Sequence, residues 1–251
     1  MDTDISILLP TRGRVAQMRR FLDSLAATAE SPERIEIVLY LDHDDPDSQA
    51  IADKRLRIVK LLGERRPLGV MTNVCYAASS GRYVLLCGDD SVFRTRHWDH
   101  AVKKMFARFP YGIALIFGDD LIQGPNLATT PFLSRTCCRL LGGPCPPIYQ
   151  NEYIDTHIFD LFLKLGELGH HRLIYLPNVV IEHMHHVVGK AELDATYLSK
   201  MPCEQSHALF AALEPLRAKQ ARILERHIRE AAPPAAALGP VRPETAQGLR
   251  L

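Results

Sequence analysis

Three apolar, β-prone runs in this chain stop abruptly at acidic residues, and that pattern narrows the folds open to it. Arg82 to Cys87 leads into Gly88, Asp89, Asp90 and Ser91; Ile35 to Leu41 leads into Asp42, His43, Asp44 and Asp45; Ile113 to Phe117 leads into Gly118, Asp119 and Asp120. A run without polar alternation suits a strand buried on both faces, as in a parallel sheet covered by helices. Further strands are expected at Ile5 to Leu9, ended by Pro10, near Ile58 to Leu62, and at Leu173 to Ile181. Between them, apolar residues recur at helical spacing. One such series is Met18, Phe21, Leu22, Leu25 and Ala29; another is Trp98, Val102, Met105, Phe106 and Phe109; a third is Ile154, Ile158, Leu161, Phe162 and Leu165. A short helix is expected from about Ser48, and a longer one carries Val70, Met71, Val74, Ala77 and Ala78, with Gly81 expected as its left-handed cap. The alternation predicts an α/β fold with a mostly parallel central sheet flanked by helices.

Domain organisation follows from where that alternation fades. Residues 1–200 read as one domain, 201–231 as a charged C-terminal helical extension interrupted by Pro215, and 232–251, rich in Ala, Pro and Gly, as a mobile tail. Within the domain, 121–150 has no period, and a loop of that length is expected to be a binding segment.

Charge and cysteine usage exclude several functions. Thirty basic and 29 acidic residues give a net charge of +1, so no global field holds nucleic acid or an anionic membrane. No apolar run approaches the roughly 18 residues needed to span a bilayer, and the acidic start, Met1 to Asp4, is unlike a signal peptide. The six cysteines show no CxxC spacing, so structural thiols and a cytoplasmic location are expected. Oligomeric state is open.

Four places can carry chemistry. Thr11, Arg12, Gly13 and Arg14 follow the first strand, where backbone amides and guanidinium groups suit nucleotide phosphate or base. Thr11 can also cap the helix that follows. Asp42 and Asp44 end the second strand and can accept from a ribose or base, or simply cap a turn. Asp89 and Asp90 suit a hard divalent cation that holds phosphates. His183 and His185, two apart at a strand end, share a face and can add nitrogen ligands, as a zinc site would also require.

Taken together, Ile5 to Arg14, the acidic end of the second strand, Asn73, and Tyr83 to Ser91 resemble family 2 glycosyltransferases of GT-A fold. The likeness continues through Thr129 to Phe132, Ser134, Arg135, then Glu152 to Asp155, and Val180 to His183, over roughly residues 4 to 190. It implies a Rossmann-like GT-A domain that moves a sugar from a UDP- or GDP-type donor to an acceptor hydroxyl whose carrier is unknown, with inversion and with help from Mn2+ or Mg2+. On this resemblance Asp89 meets the ribose and Asp90 the metal, with Ser91 where a third-position acid often sits. Thr11, Arg12, Arg14, Asp42, Asp44 and Asn73 are expected on the nucleotide-sugar, and His183 with His185 in the metal shell. Asp155 is expected as the base, with Glu152 as its rival. A helix N-terminus would keep Asp155 ionised and lower its pKa, and helix capping is its bland alternative. The competing functions are nucleotidyl transfer and a nucleotide- or sugar-binding module without turnover.

Overall fold

A computed structural model describes residues 2–109, 111–192 and 203–231. Its elements are β1 (Ile5–Thr11), α1 (Val15–Thr28), β2 (Ile35–Asp42), α2 (Pro46–Gln49), β3 (Arg57–Gly63), α3 (Leu68–Ala78), β4 (Tyr83–Leu86) and β5 (Ser91–Phe93). They continue with α4 (Trp98–Phe106), β6 (Leu115–Asp119), β7 (Phe132–Ser134), α5 (Arg135–Leu141), α6 (Ile154–Glu167), β8 (Leu173–His183), α7 (Cys203–Ala212) and α8 (Glu214–Ala231). The expected tail at 232–251 lies outside the described residues.

Eight strands form one sheet in the order β3-β2-β1-β4-β7-β6-β8-β5. The pairs β3–β2, β2–β1, β1–β4 and β6–β8 are parallel. The three-residue strands β5 and β7 pair antiparallel, β7 with β4 and β6, and β5 with β8. Neither short strand is among the sequence expectations, because three residues carry no period.

Side chains alternate across each strand, so β1 and β2 feed two apolar layers. Ile5, Ile7, Leu9, Ile37 and Leu39 pack with α1 and α4 on one face. Leu8, Val38 and Tyr40 belong to the layer built from α3, α5, α6 and α8 on the other. The C-terminal helix α8 lies along α6 and contributes Leu224 and Ile228 to that second layer, both buried. Cys75, Cys137, Cys138 and Cys145 are buried and free; burial pushes the Cys75, Cys137 and Cys145 thiols up to about 12, so all three stay protonated at neutral pH.

The left-handed cap expected at Gly81 is absent: α3 is closed by Ser79 in an extended conformation, and Gly81 does not have positive φ. What Gly81 supplies is close approach, since a Cβ there would stand 2.5 Å from Ser6 Oγ and 2.6 Å from Ser6 N.

Trp98 opens α4 and is buried against Phe93 and Phe132, at ring separations of 4.7 and 5.8 Å. Its indole Nε1 has no hydrogen-bond partner among the described residues. The ring therefore contributes through packing alone. Trp98→Ala should cost about 3–5 kcal/mol in chemical denaturation, from transfer plus cavity, whereas Trp98→Phe should cost well under half of that because no polar partner is lost.

Candidate active site

Parallel strands end on one edge, so β1, β2 and β4 deliver their last residues to the same rim. The register pairs Leu8 with Leu86 and Thr11 with Leu41. Three residues beyond that first pair, Thr11 meets Asp89: its Oγ1 donates to Asp89 Oδ2 at 2.6 Å. Thr11 thus ends β1 and does not cap α1, contrary to the expectation, because its hydroxyl is committed across the sheet. Gly88 leaves the space that Asp90 occupies, as a Cβ there would stand 2.5 Å from Asp90 Oδ1.

Arg14 is buried and holds this acidic pair. Its Nη1 donates to Asp89 Oδ1 at 3.0 Å and lies 3.6 Å from Asp90 Oδ2. Burial raises the Asp89 pKa to about 6, Arg14 opposes that rise, and the charge of Asp90 adds to it. Arg12 reaches the other way, donating to Asp42 at 2.9 Å and gripping the exposed carboxylate of Asp44 through both Nη atoms. The amide of Gly13, in the left-handed region at φ +65°, donates to Asp45 Oδ2 at 2.7 Å. The expected cradle of amides and arginines after β1 is therefore directed at carboxylates of the protein itself.

The same cavity, of about 520 Å³, is also lined by the segment before and within the first turn of α6. Thr11, Arg12, Arg14, Asp42, Asp89 and Asp90 line it, together with Glu152, Tyr153, Asp155, Thr156, His183 and His185. The N-cap of α6 is Tyr153, in the left-handed region at φ 67°, so Asp155 is not a cap. Its Oδ1 accepts from the Thr156 amide at 2.8 Å and from the Thr156 hydroxyl at 3.3 Å. Burial raises the Asp155 pKa above its ordinary value despite those bonds and the charge of His183. The lowering expected from the helix N-terminus is overturned, because desolvation outweighs the dipole here. Glu152 Oε2 is buried without a hydrogen-bond partner among the described residues.

β8 brings the histidines in from the far end of the chain. Ser91 of β5 pairs with His183, and the Met184 amide donates to the Asp90 carbonyl at 2.8 Å. This register sets His183 Nε2 3.6 Å from Asp90 Oδ2. Burial pulls the His183 pKa down, but the bond and charge of Asp90, with Asp120 and Asp155, hold it above its ordinary value. His185 meets His183 edge-to-face at 4.9 Å between ring centres, and its Nδ1 accepts from the Val187 amide at 3.3 Å. Among the described residues no group of three or more His, Cys, Asp or Glu side chains is gathered as a metal site. Asp90 and His183 supply one oxygen and one nitrogen donor that converge, which fits a cation whose remaining ligands come from a bound diphosphate.

Two expected residues fall outside the cavity. Asn73 on α3 donates to Gly69 O at 2.6 Å and to Cys145 O at 2.8 Å, pinning the loop at 145 to the helix. Asp44 is bound by Arg12, which lines the cavity in its place. In turn, Arg65, Arg66, Thr129 and Tyr153 line the cavity without having been singled out as site residues. The adjacent arginines between β3 and α3 lie at another strand's carboxyl end, the one signal that could have flagged them.

Residues 6–125 match the family model described as Glycosyl transferase family 2. Among solved structures, the mannosyltransferase PcManGT from Pyrobaculum calidifontis, in complex with GDP-Man and Mn2+, is similar at 15% identity and a TM-score of 0.57, over 94% of this chain and 78% of that one. S. aureus TarS 1-349, in complex with UDP-GlcNAc, is similar at 14% identity and a TM-score of 0.61, over 90% of this chain and 73% of that one. Identities this low speak to shared fold. No curated protein matches the chain, and no helix among the described residues is long and apolar enough to cross a membrane. Residues 6–125 thus match family 2 glycosyltransferases in sequence, and over nine-tenths of its length the chain has the GT-A fold of these two neighbours.

Proposed function

We propose that this domain transfers a sugar from a nucleotide-sugar to an acceptor hydroxyl with inversion at the anomeric carbon. The single observation that carries the reading is that Asp90 and Asp155, 65 residues apart in sequence, line one cavity. In the proposed reaction the acceptor oxygen bonds to the anomeric carbon as the bond from that carbon to the diphosphate breaks. The acceptor proton passes to Asp155, and the nucleoside diphosphate leaves. Asp42 and Asp89 would hold the nucleotide, with Arg12 fixing Asp42, Thr11 fixing Asp89 and Arg14 keeping Asp89 ionised.

Asp90 and His183 would hold a divalent cation, as Mn2+ accompanies GDP-Man in the Pyrobaculum calidifontis neighbour. When bound, such an ion supplies positive charge to the diphosphate. Arg65 and Arg66, also on the cavity wall, would add guanidinium charge to the same group. Glu152 is the alternative base, favoured by its unpartnered buried oxygen.

GDP-mannose and UDP-N-acetylglucosamine, each with and without Mn2+, are the first donors to screen by thermal shift. Asp155→Asn should lower transfer by about 10²–10⁴-fold, the usual worth of a general base, while donor affinity by calorimetry stays within about twofold. If Glu152→Gln produces that loss and Asp155→Asn does not, Glu152 is the base. Asp90→Asn should cost turnover about 10²-fold and abolish any stimulation by Mn2+, read in the same transfer assay.

The pH profile is a separate check. A base works ionised, so activity falls as pH drops through its pKa, and the folded Asp155 value lies above the ordinary 3.8. The acid limb of kcat should therefore sit above that value and disappear in Asp155→Asn.

A further inference from the structure

Beneath the wall that carries Asp155 runs a polar chain buried in an otherwise apolar layer. The Tyr149 hydroxyl meets His157 Nδ1 at 2.9 Å, and His157 Nε2 meets Gln220 Oε1 at 2.9 Å. Tyr149 is fully buried, His157 is 1% exposed and Gln220 8% exposed. Burying polar groups is costly unless every one is satisfied, and here the chemistry closes. A neutral imidazole donates from Nε2 to the amide oxygen and accepts the phenol proton at Nδ1. Burial keeps that ring neutral, lowering its pKa to about 4.

The chain joins three segments, the stretch before α6, α6 itself and α8, of which the first two line the cavity. Tyr149 O and Gln150 O accept from the amides of Gly69 and Leu68, fastening the start of α3. His157 lies two residues beyond Asp155 on α6, and its amide donates to Tyr153 O at 2.9 Å. Gln220 belongs to α8, in the C-terminal extension. Between the two anchors on the 149–157 segment stands Tyr153, in its left-handed conformation, with its ring 5.3 Å from Phe210 of α7. Arg217 of α8 reinforces the arrangement, donating to Asp160 on α6 and to Phe210 O. A non-glycine residue with positive φ persists only where its surroundings over-determine it.

We propose that Tyr149, His157 and Gln220 are positioning residues that set the orientation and burial of the Asp155 carboxylate, making the C-terminal helix α8 part of the catalytic apparatus. The inference rests on Asp155 as the base. It predicts that loosening the chain far from donor or acceptor damages proton transfer selectively.

The test uses the full chain with Tyr149→Phe, which removes one oxygen, and Gln220→Met, which removes the acceptor at similar volume. Hydrolysis of GDP-mannose and UDP-N-acetylglucosamine, transfer to water, supplies kcat and its pH profile. Each variant should melt cooperatively and bind donor within about twofold of wild type, yet lose about tenfold or more in kcat, as small misplacements of a reacting group do. The acid limb should move down toward the ordinary aspartate range, because a loosened wall admits water to the carboxylate. A carboxyl-carbon NMR titration, with Asp155→Asn assigning the resonance, reads that shift without donor. Wild-type kcat and an unmoved Asp155 titration in both variants would overturn the proposal, as would a parallel loss of donor affinity. If Asp155→Asn itself retains the acid limb, the base assignment fails; if Asp155→Asn removes it and the two variants do not move it, only the positioning chain fails.

Discussion

Two adjacent carboxylates can stay at the floor of a cavity only if something answers their charge, and in this protein that is Arg14. Its guanidinium, itself buried, lies against both Asp89 and Asp90. Removing a charge from water is costly, and two like charges side by side drive one of them to protonate. The pKa of Asp89, raised to about 6, shows that the arginine offsets this only in part. Asp89 is therefore ionised near neutrality but without a wide margin, and any cationic ligand entering the cavity meets a site where negative charge is only partly compensated.

Arg14 can act this way because the sheet has already aligned its neighbours. The parallel β1–β4 register puts Thr11 beside Asp89, and the antiparallel β5–β8 pairing puts His183 beside Asp90. This half of the site is thus built from strand ends, set in register by the backbone hydrogen bonds of the sheet. The other half is built differently. Glu152, Tyr153 and Asp155 lie on a helix start and the turn before it, and that segment depends on packing against α7 and α8. A site with one wall of strands and one of helices suits a reaction in which one substrate is held firmly while a second is presented to it.

Much of this architecture was legible in the chain. The continuous apolar runs at Ile5, Ile35 and Tyr83 became buried parallel strands, and the helical spacings from Met18, Trp98 and Ile154 became α1, α4 and α6. Those signals survive because they are local and repeated. β5 and β7 were illegible, being three residues each, and α5 lay hidden in a segment broken by glycine and proline. At the site, Thr11, Asp42, Asp89, Asp90, Asp155 and His183 all reach the cavity. Asn73 does not, since an amide in a helix bonds whichever carbonyl folding brings near, and here that is Cys145 O.

By itself, then, the sequence determined the longer strands and helices, though not β5, β7 or α5, and that carboxylates follow the strands, because hydrophobic period and local residue chemistry act over a few residues. Only tertiary structure decided that Arg12 and Arg14 are committed to carboxylates, that burial reverses the expected direction of the Asp155 pKa, and that α8 reaches the support of the α6 wall. Each of those outcomes depends on strand register and on packing between segments far apart along the chain, and no local pattern encodes how far a side chain will be withdrawn from water.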